Sequence, residues 1–121
     1  MTVKGEILII RFLHNWNLEG AKVFFREYKK RVRQHNFKQY GVLSDLRSFE
    51  GSAPEVIDYF KSIADWAEKN GQVGRALIMD SMIKELTINE IDKGKQRFPV
   101  QVFSEKNEAL KWLKSLGLST S

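Results

Sequence analysis

The sequence contains no cysteine. That removes disulfides, thiolate zinc sites and cysteine nucleophiles together, and it is the usage expected of a protein kept in a reducing compartment. There are two histidines, His14 and His35, so a three-histidine metal site is impossible. No stretch approaches the ~18 consecutive apolar residues of a membrane span. The opening residues, Met1-Thr2-Val3-Lys4-Gly5-Glu6, lack a charged leader followed by a long apolar stretch and a small-residue cleavage site. No secretory signal is therefore expected, and a cytoplasmic location is the default. Gly-x-Gly-x-x-Gly, a Walker loop, Gly-x-Ser-x-Gly and paired histidines at metal spacing are also missing. No cofactor or metal is called for by what remains.

What is present suits one domain. The 121 residues are 42% apolar, with eight Phe, three Trp and three Tyr, and a chain of this length buries roughly two-thirds of its unfolded surface. No internal repeat, low-complexity tract or linker divides residues 1–121, and only 119–121 read as a frayed tail. The formal charge of +5 is unevenly placed. Residues 22–38 hold seven basic side chains against Glu27, a net +6, so the remainder sums to −1. One helix is basic and the rest is balanced.

The apolar pattern alternates between strands and helices. Gly5–Leu13 contains the continuous run Ile7-Leu8-Ile9-Ile10, the mark of a strand buried on both faces. Asn17 is placed to cap a helix whose apolar residues Ala21, Phe24, Phe25, Tyr28 and Val32 follow 3.6-residue spacing. Lys22, Arg26, Lys29, Lys30 and Arg33 take its other face. Tyr40–Leu46 is a second strand that stops around Asp45, followed by a polar loop. Ser52-Ala53-Pro54-Glu55 has the capping-box pattern and opens a helix to Asn70, which Gly71 ends. Val73–Met79 is a third strand, Ser81–Lys95 a weakly patterned helix, and Phe98–Phe103 an edge strand. Ser104 is placed to cap a last helix with Ala109, Trp112, Leu113 and Leu116 inward. The order β-α-β-α-β-α-β-α with short connections predicts an α/β fold, a mainly parallel sheet joined by right-handed crossovers.

This order and its punctuation resemble the STAS fold of anti-sigma-factor antagonists, and more closely its bacterial SpoIIAA-like branch. The residues that carry the resemblance are Gly5-Glu-Ile-Leu-Ile-Ile, the strand exit Asp45-Leu46-Arg47-Ser48-Phe49-Glu50-Gly51, Gly74-Arg75-Ala76-Leu77-Ile78, and the closing Val102-Phe103-Ser104-Glu105 with Glu108-Ala109-Leu110-Lys111-Trp112-Leu113. The resemblance implies a single STAS-like domain with a four- or five-stranded, mainly parallel sheet. Its first antiparallel strand has little room, with four residues before Gly5. It also implies a regulatory phosphoserine at the start of the helix after the second parallel strand. Ser52 is the nearest candidate, although the family has Asp-Ser-Ser-Gly there and this chain has Gly51-Ser52-Ala53-Pro54.

Strand ends deliver His14, then Asp45 and Arg47, then Asp80 and Ser81 to one edge of the sheet, where open α/β folds bind ligands. Those types can do acid–base work, yet Asp and Ser also cap turns, and Arg47 can simply pair with Asp45. The basic face of the first helix can meet nucleic acid, anionic lipid or an acidic partner. Nucleic acid is disfavoured because Phe24, Phe25 and Tyr28 fall on the buried stripe and cannot stack on bases. Residues 82–95 read as a flap over an apolar pocket or a self-association surface. Tyr59 and Trp66, seven residues apart on a secondary helix face, point to a homodimer contact. The resulting expectation is a non-enzymatic regulatory or binding module, acting through a protein partner or a small apolar or anionic ligand. The alternatives are a small enzyme or carrier using His14, Asp45 and Asp80, and anionic-surface binding by the first helix.

Overall fold

A computed structural model describes residues 1–52, 54–80 and 98–120. The chain forms β1 (Thr2–Lys4), β2 (Ile7–Trp16), α1 (Leu18–His35), β3 (Tyr40–Ser52), α2 (Pro54–Lys69), β4 (Gln72–Ile78), β5 (Val100–Phe103) and α3 (Lys106–Ser115). The five strands lie side by side in chain order. β1 runs antiparallel to β2, and every other neighbour pair is parallel. The helix expected over Ser81–Lys95, with its flap or self-association role, lies outside the described residues.

Sequential order in a parallel sheet decides where the helices go. β2-α1-β3 and β3-α2-β4 step the same way along the sheet, so right-handed crossovers put α1 and α2 on one face. Leu8, Ile10 and Val42 pack there with Phe25, Tyr28, Val32, Ile63 and Ala67. Alternation along each strand sends the intervening residues to the other face, where Ile7, Leu43, Ala76 and Ile78 meet Ala109, Leu113 and Leu118. Gly41 of β3 is in register with Gly74 of β4. A Cβ on Gly41 would stand 2.5 Å from Leu118 Cδ1, and one on Gly74 would collide with Leu116 Cδ1. The two glycines therefore let Leu116 and Leu118, which follow α3, lie close against the sheet.

Several expectations are corrected. The first antiparallel strand exists, using the residues that appeared too few: Gly5 takes a positive φ of 60° and turns β1 straight back into β2. β3 does not stop near Asp45. It continues as a strand through Ser52, and Leu13–Trp16 of β2 extend alongside it, with register shifts between Arg11 and Leu13 and between His14 and Asn15. The polar residues 47–51 read as a loop because their apolar content falls, whereas pairing with β2 holds them extended. Ser52 is the last residue of this strand, two residues before Pro54, and Ala53 lies outside the described residues. At α3, Glu105 occupies the cap position without a side-chain hydrogen bond, in place of Ser104. The tail is not frayed at Ser119. Its N–H donates to Glu6 Oε1 (2.9 Å) and its carbonyl accepts from Glu6 N (2.9 Å). Asn17 does cap α1, its side-chain oxygen accepting from Gly20 N at 2.8 Å. Among the described residues no helix is long and apolar enough to cross a membrane.

Candidate functional site

The strand-end residues do not converge into one crevice. Arg11 is in register with Asp45, whereas His14 lies beside Phe49, further along the extended part of the sheet. There His14, with a positive φ of 57°, reaches Glu50 (Nδ1 to Oε1, 3.9 Å), and Asn15 donates to the same carboxylate (3.4 Å). Asp45 is engaged by Arg47 instead. The guanidinium donates through Nε to Oδ1 (3.0 Å) and through Nη2 to Oδ2 (2.8 Å), and the Arg47 backbone N–H donates to Oδ1 (3.1 Å). The side-chain hydrogen bonding from Arg47, helped by the backbone bond and the positive charges of Arg47 and Arg11, holds the Asp45 carboxyl below the usual carboxylate range. Asp80 is close enough to act on Arg47's charge. Ser81 lies outside the described residues. Asp45 and Arg47 are thus a paired clamp on the α3 side of the sheet, and the structure separates His14 from them. Among the described residues no three His, Cys, Asp or Glu side chains gather to hold a metal ion.

Tyr59 and Trp66 are spent within the chain. Tyr59 stands edge-on to Phe25 (5.8 Å), and Trp66 packs on Phe25 (5.9 Å) and Tyr28 (6.0 Å). Lys29 and Arg33 lie over the Trp66 ring, each 5.9 Å from its centre. The pair therefore joins α2 to α1. Lys22, Arg26, Lys30 and Arg33 are exposed along α1, with Lys29 half-buried against the rings. Phe25 and Tyr28 are buried as expected.

The feature that sequence reasoning missed lies between the sheet and the α1–α2 pair. A cavity of about 100 Å³, partly open to solvent, is walled by aromatic rings from three elements: Phe12 of β2, Phe24 of α1 and Phe60 of α2. Phe12 and Phe60 are stacked at 6.2 Å, and Phe24 stands edge-on to both. The sheet side of this apolar space carries a polar line. Ser44 of β3 and Arg75 of β4 are diagonal neighbours, since Ser44 pairs with Leu77 and Arg75 with Val42. Both line the cavity, as do Gln72 and Tyr28.

These polar groups differ in how they are satisfied. Tyr28 Oη donates to Gln72 Oε1 (3.2 Å), so Tyr40 Oη donates to Tyr28 (2.9 Å), while Gln72 Nε2 donates to the Gly74 carbonyl (3.1 Å). Burial raises the Tyr28 hydroxyl well above its ordinary value, opposed by the nearby Arg75 charge, and pushes Tyr40 up to about 12. Ser44 is 4% exposed and lines the cavity. Arg75 lies over the Phe98 ring (5.8 Å) and is the only charged side chain among the described lining residues. The signal in the sequence was Gln72, Arg75 and Ser44 themselves: polar residues on strands buried on both faces are the informative exceptions.

A family model described as Domain of unknown function (DUF7793) matches residues 1–117. The chain belongs to that family. Its fold is SpoIIAA-like. The chain is similar to the crystal structure of an uncharacterized protein of the DUF3478 family with a SpoIIAA-like fold from Shewanella loihica PV-4, at 14% identity and a TM-score of 0.69, covering 85% of this chain and 80% of that one. It is also similar to the anti-sigma factor antagonist SpoIIAA in its unphosphorylated form, at 10% identity and a TM-score of 0.64, covering 94% of each chain. No curated protein sequence matches. At these identities the likeness is one of fold.

Proposed function

We propose that this STAS-like domain is a non-enzymatic regulatory module that holds a small ligand in the cavity beneath α1 and α2 and transmits its occupancy to a protein partner. One observation carries the reading: a ring-walled apolar space whose sheet side presents Ser44, Gln72 and Arg75. Small-molecule sites have this make-up, apolar walls with a few placed polar groups. The anti-sigma-factor antagonist that shares the fold supports a role in regulation through protein contacts. The enzyme alternative needs His14, Asp45 and Asp80 to act on one substrate, and the β2–β3 register keeps His14 away from Asp45. Phosphorylation at Ser52 is not part of the proposal, because Ser52 closes β3.

A thermal-shift screen with small amphipathic molecules tests this. Compounds that fill the cavity raise the melting temperature of the natural chain, because a ligand that binds only the folded state stabilises it by mass action. The rise disappears when the cavity is blocked from α2. A screen in which no compound raises the melting temperature, or in which blocking changes nothing, contradicts the proposal.

A further inference from the structure

We infer that the cavity selects small monocarboxylates, a single ring or a short chain ending in one carboxylate, and excludes long-chain lipids. The inference rests on the ligand-binding reading above and narrows it to a chemical class. Two observations set the class, charge and volume.

Charge comes first. Arg75 is the only charged group among the described lining residues, and its influence reaches the Tyr28 hydroxyl across the cavity wall. An anion entering there gains a charge-assisted hydrogen bond in a poorly hydrated space, where such bonds are roughly twice as strong as neutral ones. Ser44, buried and lining the cavity, can donate a second hydrogen bond from the diagonal position. A planar carboxylate can accept from both, because its two oxygens diverge. No acidic side chain is among the described lining residues to repel it. Gln72 and Tyr28 already bond to one another, so they orient the site more than they compete for the ligand.

Volume sets the rest of the molecule. An apolar cavity of about 150 Å³ accommodates benzene, and pockets for drug-sized ligands start near 300 Å³. A cavity of about 100 Å³ that is partly open to solvent therefore takes a few methylenes, or a ring that reaches into the opening, with the carboxylate lying toward Arg75. Phe12, Phe24 and Phe60 pack on one another and give the cavity an apolar ring wall, which suits aromatic or branched aliphatic groups. A long acyl chain has no room for its full length within the described lining.

The test is an NMR titration of the ¹⁵N-labelled chain with benzoate, hexanoate, benzyl alcohol, hexanol and palmitate. Benzoate and hexanoate are expected to shift the Ser44, Gln72 and Arg75 amides saturably, and to bind at least about tenfold more tightly than the matching alcohols. In Arg75→Gln that difference disappears while the alcohols bind as before, and Ser44→Ala weakens the acids alone. The comparison of acid with alcohol in the unmodified chain stands even where a variant fails to fold. Alcohols binding as tightly as the acids would overturn the carboxylate inference and leave the cavity as a ligand site. Palmitate binding more tightly than hexanoate would overturn the size limit. No shift with any probe would overturn both this inference and the function it rests on.

Discussion

Ala64 stands on α2 where its methyl group lines the cavity, in helical spacing between Phe60 and Ala67. Replacing it with Leu projects three more carbon atoms into that space. Each buried methylene is worth about 0.8 kcal/mol, so complete burial would stabilise by about 2.4 kcal/mol. Fixing the new side chain costs about 0.5–1 kcal/mol of rotamer freedom, and helix propensity is nearly unchanged. The cavity is partly open, which leaves some of the Leu wet. The net expectation for Ala64→Leu is a gain of about 1 kcal/mol, or roughly 4 °C in a domain of this size. Urea and thermal unfolding measure the gain, and a benzoate titration of the same variant measures the site. Stabilisation with at least about tenfold weaker benzoate binding is the predicted pair. A loss of more than about 1 kcal/mol would signal overpacking and refute the claim that the space exists. Stabilisation with undiminished binding would refute the claim that the space is the ligand site.

Burial raises Tyr40 to about 12 from an ordinary 10.0, so the unfolded chain ionises first. Its contribution is intact below about pH 10 and is lost as pH climbs toward the folded value. Tyr40→Phe is expected to cost about 1 kcal/mol at neutral pH through the lost hydrogen bond to Tyr28 and to flatten the alkaline decline in urea-measured stability; a decline of unchanged steepness would count against it. The depressed Asp45 pKa, caused first by its bond from Arg47, stabilises above the ordinary value of 3.8 and loses that effect as pH falls through the lower folded value. Arg47→Gln is expected to return Asp45 toward its ordinary range in a ¹³C carboxyl titration, and an unmoved midpoint would show that the clamp is not the cause. Gly71 holds a φ of +102°, and a Cβ there would lie 2.9 Å from the Lys38 carbonyl oxygen. Gly71→Ala is expected to destabilise by about 1–3 kcal/mol, measured by urea unfolding; a neutral result would mean that the turn can relax.

The sheet and its helices were legible because period and burial are written in the same residues. Ile7-Leu8-Ile9-Ile10 and Ala76-Leu77-Ile78 have no polar face to hide, and the Ala21–Val32 stripe of α1 fixes which side of that helix meets the sheet. What did not show was set by pairing. Residues Arg47 to Ser52 are extended because Leu13–Trp16 lie beside them, and no local pattern in a polar segment announces a neighbouring strand. The same gap misplaced the site. Strand ends were expected to meet in a crevice, but alternation sends Asp45 and Arg47 to the α3 side, while the register carries His14 away. The cavity depends on side chains from three strands and two helices. Its polar members, Ser44, Gln72 and Arg75, were visible as odd residues on buried strands. Their convergence required the β3–β4 register.

The central claim is that the space between the sheet and the α1–α2 pair is where this domain takes its ligand. A crystal structure of the full chain grown with benzoate tests it most directly. The account predicts electron density for the ring in the cavity against the wall that Phe12, Phe24 and Phe60 form, with the carboxylate facing Arg75 and Ser44. An empty cavity beside benzoate bound elsewhere on the surface would contradict it.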